Sequence, residues 1–171
     1  MTMEYPDLTA LPAEARKIAE ERSALNVYRM VFHSPALAPD LVRLGDAISR
    51  GSLPHPLREL AVLRVGHVYG APYEIHHHER IGRSLGLNEA GIAAARTGST
   101  EGLPAEQATV LALTDRLLER HGLTEADRAQ ALSFLTVEQF SDLVLTVGFY
   151  QLVCTFLNTF GVTTEGENAP G

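Results

Sequence analysis

Hydrophobic residues recur along this chain at three- and four-residue intervals, and glycine, proline and capping residues separate the periodic segments. A first helix is expected over residues 13–32, where Ile18, Leu25 and Val31 stand among charges. Ser34-Pro35 then offers an N-cap with proline at the first helical position, and Leu37, Leu41, Leu44 and Ile48 follow at helical spacing until Gly51. Residues 57–69 are apolar nearly all round, which predicts a deeply packed helix, opened by Pro54 and Pro56 and ended by Gly70. Pro72 opens the next helix, over residues 73–85, and Gly86 stands where a left-handed C-cap is favoured. Asn88 caps a short alanine-rich helix, residues 105–120 form another that ends at His121-Gly122, and Thr124 caps the one after it. Thr136-Val-Glu-Gln139 is a capping-box pattern that opens a long last helix. The pattern therefore describes an all-α chain of about seven or eight helices with a central helical hairpin turning at Gly70. One domain over residues 1–171 is expected, with N-terminal helices over 13–51, a core motif over 54–87, and a polar, glycine-rich tail over 162–171 that should be mobile.

With 171 residues and 45% hydrophobic content, the chain can bury a core without disulfide or metal staples. Its 14 basic against 21 acidic residues give a net charge of -7, and no Lys/Arg cluster follows a phosphate backbone, so nucleic acid is not an expected partner. The single cysteine, Cys154, excludes an intrachain disulfide and fits a reducing cytoplasm. No signal-like segment opens the chain, and the apolar stretch over residues 143–157 falls short of the ~20 residues that cross a bilayer. A cytoplasmic protein without a membrane partner is the expectation. The last helix is apolar almost all round, which fits either the centre of the core or a core continued into a neighbouring subunit.

Chemistry concentrates in Tyr73-Glu-Ile-His-His-His-Glu-Arg80, at the start of the fourth expected helix. Helical spacing puts Glu74, His78, Ile81 and Leu85 on one stripe and Tyr73, His77 and Arg80 on a neighbouring one, so Glu74 and His78 point inward with Ile81 and Leu85. A carboxylate and an imidazole one turn apart titrate as a coupled unit and can offer a proton near neutral pH. The same pair could instead cap the helix and satisfy a core histidine. Glu59 shifts the balance toward function, because it lies in the most apolar segment, where a carboxylate is costly unless a polar partner compensates it. Candidate partners are Arg58 and His67 along the helix and Tyr73, Glu74 and His78 across the hairpin.

The string Leu57-Arg58-Glu59-Leu60-Ala61-Val62-Leu63-Arg64-Val65, followed by Gly70-Ala71-Pro72-Tyr73-Glu74, His77-His78, Ile81-Gly82 and Gly86-Leu87, resembles the carboxymuconolactone decarboxylases and their relatives, the alkylhydroperoxidase D (AhpD) proteins. The resemblance implies an AhpD-like all-α fold and a trimer or hexamer with sites near subunit contacts. The thiol peroxidases of that family carry Cys-x-x-Cys between the glutamate and the histidine. Here Ala71 and Glu74 occupy those two positions, so thiolate attack on a peroxide has no nucleophile at this site. The resemblance to the non-thiol branch, which includes a lactone decarboxylase, makes Glu59, Tyr73, Glu74 and His78 the catalytic candidates.

The expected chemistry is cofactor-free proton transfer on a small, oxygenated, anionic substrate: decarboxylation, or a lactone, lyase or isomerase step. His78 donates the proton, Glu74 orients it, Tyr73 bonds the enolate oxygen and Glu59 supports from behind. Arg64 and Arg80, with His77, are the candidates to hold the substrate. Glu74-x-x-His77 matches half of a di-iron helix motif, but no second copy exists, so no metal and no cofactor are expected. An oligomeric ligand-binding protein with a pH-sensitive histidine face, and a residual peroxidase, are the competing readings.

Overall fold

A computed structural model describes residues 3–22 and 24–166. Among them are a short 3₁₀ turn, Leu8–Ala10, and nine α-helices, with no strand: α1 Ala13–Arg22, α2 Asn26–Val31, α3 Ala38–Ser49, α4 His55–Tyr69, α5 Pro72–Ser84, α6 Glu89–Thr97, α7 Ala105–Arg120, α8 Glu125–Leu132 and α9 Val137–Phe160. The chain divides into two compact units, Met1–Arg50 with Phe156–Gly171, and Gly51–Thr155.

In the larger unit, α4 is the central rod, with α5, α6 and α7 packed around it. Its residues are shared out by face, as a helix apolar all round requires. Leu57, Ala61 and Val65 enter a core with Val110 and Leu113 of α7, Ala131 of α8, and Leu143, Val147 and Cys154 of α9. Leu60 and Leu63 enter a second core with Leu87, Ile92, Ala95 and Leu111. The remaining face meets α5 across the hairpin. Gly70 turns that hairpin in the left-handed conformation (φ 57°), its N–H and that of Ala71 closing on the last turn of α4 at His67 and Gly66. Two glycines let the helices approach closely: a Cβ on Gly66 would lie 3.6 Å from Glu74 Cβ, and one on Gly82 would lie 3.5 Å from Glu59 Cβ.

Helix α9 is clamped beside the entrance of α4, because Asp142 accepts hydrogen bonds from the backbone N–H and hydroxyl of Ser52, and Gln139 donates to the Ser52 carbonyl. Thr136 and Gln139 form the expected reciprocal cap, and Thr124 with Asp127 forms another. By length and composition α9 could cross a bilayer, but Leu143, Val147 and Cys154 pack into the core described above. Leu145 (60%) and Leu152 (51%) are exposed on its other side, so α9 is not covered all round by its own chain.

The smaller unit corrects two boundaries. The expected helix over 13–32 is two helices, α1 and α2, because Leu25 is extended and the N–H of Asn26 is capped by the Glu165 carboxylate at 2.7 Å. A cap supplied from the far end of the chain leaves no local signal. Residues 34–37 form a turn on the Ser34 carbonyl, and α3 starts at Ala38 with Pro39 in its first turn, so Ser34 is not its N-cap. Buried Ala15, Ala19, Val31, Phe32 and Ala38 form this unit's core. Of the tail, Val162 is buried and Thr163 accepts from the Asn26 side chain, whereas residues 167–171 lie outside the described residues.

Candidate active site

An antiparallel hairpin pairs residues at similar distances on either side of its turn. With Gly70 at the turn, Glu59 falls opposite Gly82, and Gly66 opposite Glu74, and the His78 side chain, one turn nearer the hairpin, reaches Glu59. Glu59 meets His78 rather than Glu74, which resolves the partner question left open by spacing alone.

The result is a buried chain of charged groups. Arg58 donates from Nε (3.1 Å) and Nη2 (3.0 Å) to Glu59 Oε1. Glu59, 1% exposed, accepts through Oε2 a 2.7 Å hydrogen bond from His78 Nδ1. Beyond the ring, His78 Nε2 lies 3.3 Å from Glu74 Oε2. That approach is an ion-pair separation rather than an aligned hydrogen bond. Glu74 is 5% exposed, and its Oε2 is buried without a hydrogen bond among the described residues. This oxygen therefore depends on the His78 ion pair to offset its burial.

The electrostatics follow from these contacts. Burial alone would raise the Glu59 carboxyl, but the hydrogen bond and charge of His78, joined by Arg58, hold it below its ordinary range. Glu59 is thus an acceptor only, and Nδ1 of His78 carries a proton. Burial disfavours the imidazolium of His78, yet the bonds and charges of Glu59 and Glu74 outweigh it and lift its pKa to about 9. Near neutral pH the Nε2–H of His78 therefore points at Glu74.

Of the other expected site residues, Arg64 and Arg80 stand outside this relay. Tyr73 is buried on the neighbouring stripe of α5 with its ring 4.5 Å from that of His77, and exposed His76 meets His77 edge-on. Arg64 is bound to Asp115 and to the carbonyls of Ala95 and Arg96 at the end of α6. Arg80 is exposed. His67 is shifted down by burial, Arg96 and Arg64, and belongs with those residues rather than with Glu59. Among the described residues, no group of three or more His, Cys, Asp or Glu side chains is placed to hold a metal ion.

Tyr150 of α9 is an addition that spacing around α5 could not supply. Its ring meets His78 edge-on at 5.1 Å. The signal was its register on α9, three residues after buried Val147 and four before buried Cys154. Cys154, remote along the chain, shares a core with Ala71. Its thiol is fully buried and pushed well up, first by burial and then by the charge of Glu74, which opposes thiolate formation.

Residues 35–115 match the carboxymuconolactone decarboxylase family. A search of curated proteins finds no match. Among solved structures, an uncharacterised peroxidase-related protein with an alkylhydroperoxidase AhpD core from Ralstonia eutropha JMP134 is similar, with a TM-score of 0.82 and 22% identity, over 96% of this chain and 92% of that one. An uncharacterised peroxidase-related protein from Silicibacter sp. TM1040 has a TM-score of 0.80 and 17% identity, over 97% and 92% of the two chains. A protein of unknown function from Agrobacterium tumefaciens, described as a candidate antioxidant defence protein AhpD, has a TM-score of 0.71 and 16% identity, over 79% and 94%. At these identities the likeness carries the fold.

Proposed function

The chain belongs to the carboxymuconolactone decarboxylase/AhpD-like family, and on that footing we propose that it is a cofactor-free acid/base enzyme acting on a small oxygenated substrate. The observation that carries this reading is the buried relay from Arg58 through Glu59 and His78 to Glu74, whose Oε2 is held by the His78 ion pair without a well-aligned hydrogen bond. Relative to the roles expected from the sequence, the two glutamates exchange places. Glu59 holds the His78 tautomer and ring orientation, as a carboxylate behind a catalytic imidazole does. Glu74 is the group with a lone pair to offer. In the proposed step Glu74 removes a proton from a carbon beside a carbonyl: the C–H bond breaks, an O–H bond forms on Glu74, and the electron pair passes to the carbonyl oxygen. His78 Nε2–H donates a hydrogen bond to that oxygen as charge develops. Return of the proton to a different carbon completes an isomerisation, and departure of a neighbouring group completes a lyase step.

A peroxidase reading is favoured by the descriptions of the Ralstonia and Silicibacter proteins. In this chain the two thiol positions are Ala71 and Glu74, and the one cysteine is buried with a raised pKa. Acid/base chemistry uses the groups that are present. For assembly, the exposed side of α9 at Leu145 and Leu152 supports a homo-oligomer.

The test works with substrate surrogates, whatever the natural substrate is. A panel of lactones and ketones is incubated with the protein in D₂O, and deuterium entry at carbon beside the carbonyl is followed by NMR. Glu74→Gln and His78→Ala are expected to lower the exchange rate by about 10²-fold or more. Full exchange activity in both folded variants would remove the assignment.

A further inference from the structure

We propose that Tyr150 of α9 is a positioning residue for this site: its ring fixes the plane in which the His78 imidazole presents Nε2–H to Glu74. The role deepens the acid/base reading above and rests on it. It also brings a third helix into a relay otherwise built by the α4–α5 hairpin.

The torsion that orients a histidine ring is broad, so the contacts around the ring, rather than a rotameric well, decide its plane. On His78 those contacts are unequal. At Nδ1 the Glu59 carboxylate accepts at 2.7 Å. At Nε2 the approach to Glu74 Oε2 is 3.3 Å, and that oxygen gains no aligned hydrogen bond from it. The bond at Nδ1 holds the end of the ring that adjoins its attachment to the main chain. Nε2 lies at the far end and is the more free to swing, and a small turn there makes or loses the approach to Glu74.

Tyr150 meets this ring from outside the hairpin. Its plane stands at 86° to that of His78 with centroids 5.1 Å apart, an edge-to-face arrangement that aromatic pairs prefer. Phe149 stands against Tyr150 in the same way, at 5.3 Å and 86°. The helix beneath them is not free to retreat. Asp142 and Gln139 tie its first turns to Ser52, and Leu143, Val147 and Cys154 share one core with Leu57, Ala61 and Val65 of α4. The Cys154 thiol, one turn beyond Tyr150, is pushed up by burial and then by the charge of Glu74, which puts that carboxylate on the α9 side of the hairpin. Helix α9 thus holds a fixed aromatic surface against His78 near the end that faces Glu74, as a preorganised site requires. The His78 side chain is 12% exposed and Tyr150 is itself partly buried, so loss of the Tyr150 ring opens the imidazole to water as well as to rotation.

The experiment follows the two ring N–H protons of His78 in the full-length protein by ¹⁵N-edited NMR near neutral pH, assigned by their loss in His78→Gln. Their exchange with water is compared among the unaltered protein, Tyr150→Phe and Tyr150→Leu. Tyr150→Leu is expected to quicken exchange at Nε2–H by about tenfold or more while Nδ1–H, held by Glu59, stays within about twofold. Tyr150→Phe keeps the ring and is expected to match the unaltered protein at both protons. Circular dichroism checks each fold, and Tyr150→Met replaces the leucine variant if that one does not fold. An unchanged Nε2–H in the folded variant, equal quickening of both protons, or a phenylalanine variant that behaves like the leucine one would each overturn the proposal. Turnover is read separately by deuterium entry into the lactone and ketone panel, which is expected to fall about tenfold in Tyr150→Leu and to be kept in Tyr150→Phe. Entry kept in full by folded Tyr150→Leu would overturn the proposal as well. Nε2–H exchange that depends on Tyr150, with no deuterium entry into any of the panel by the unaltered protein, would support the positioning role while sinking the acid/base reading.

Discussion

Of the four charged side chains in the buried relay, His78 is the one whose proton decides both stability and chemistry. Its folded pKa, about 9, lies above the ordinary 6.5, so its stabilising effect is complete below 6.5 and is lost as pH rises through 9. Glu59 works in the opposite sense. Its lowered pKa gives stability that is present above the ordinary 4.5 and lost as pH falls through the folded value. Stability should therefore peak between these limits and fall on the alkaline side by an amount on the order of 3 kcal/mol. Urea midpoints measured from pH 7 to pH 9 would show this as a decline in the unaltered protein that is much smaller in His78→Gln. A flat profile in the unaltered protein would mean that Glu59 and Glu74 do not hold the imidazolium. The residue scale was also where periodicity read best. Tyr73 and His77 do lie together on one stripe, as helical geometry requires, but the inward face is wider than expected: Tyr73, Glu74 and His77 are buried, whereas His78, Ile81 and Leu85 are only partly so.

At the scale of elements, the site exists because α4 and α5 come close enough for short side chains to touch. Gly82 is the contact that sets this distance at Glu59. A Cβ there would lie 3.3 Å from Leu87 Cδ2 as well as 3.5 Å from Glu59 Cβ, so one methyl is nearly accommodated and a branched side chain is not. Gly82→Ala should change stability by less than about 1 kcal/mol, crowding being offset by better helix propensity. Gly82→Val should cost about 1–3 kcal/mol and pull Glu59 away from His78. Urea unfolding of the two variants, with the His78 resonances as a local probe, tests this. An unshifted His78 in Gly82→Val would show that the helices are not in contact there. Element boundaries were legible where the signal was local, as at Gly70, Thr124 and Thr136. They were misread where it came from elsewhere, as at Asn26, which takes its cap from Glu165.

For the whole molecule, the state of assembly turns on what covers α9. One side of this helix is core, and the other presents Leu145 and Leu152 with Gly148 between them, whose face has nothing within 4 Å. We expect a second copy of the chain to cover it. Sedimentation should show an assembly larger than 18.6 kDa, and Leu145→Glu with Leu152→Glu should shift it to the monomer, because buried like charges on a self-associating face repel. A monomer in the unaltered protein would remove the assembly proposal and leave the relay within one chain untouched.

What the sequence determined by itself was the set of things that short-range physics fixes. These are the helical class, the hairpin at Gly70, the burial of residues 57–65, the inward direction of Glu74 and His78, and the missing thiols at positions 71 and 74. The pairing of Glu59 with His78 was left open, because several polar groups along and across the hairpin could have met that carboxylate. Only the tertiary structure decided which carboxylate stands behind the imidazole and which one faces it, since that depends on the angstrom-scale approach allowed by Gly66 and Gly82. It also decided that Tyr150 joins the site, that Arg64 is committed to Asp115 and α6, and that Glu165 caps a helix far from it in sequence. Each is a contact between segments remote along the chain, and periodicity has no term for those.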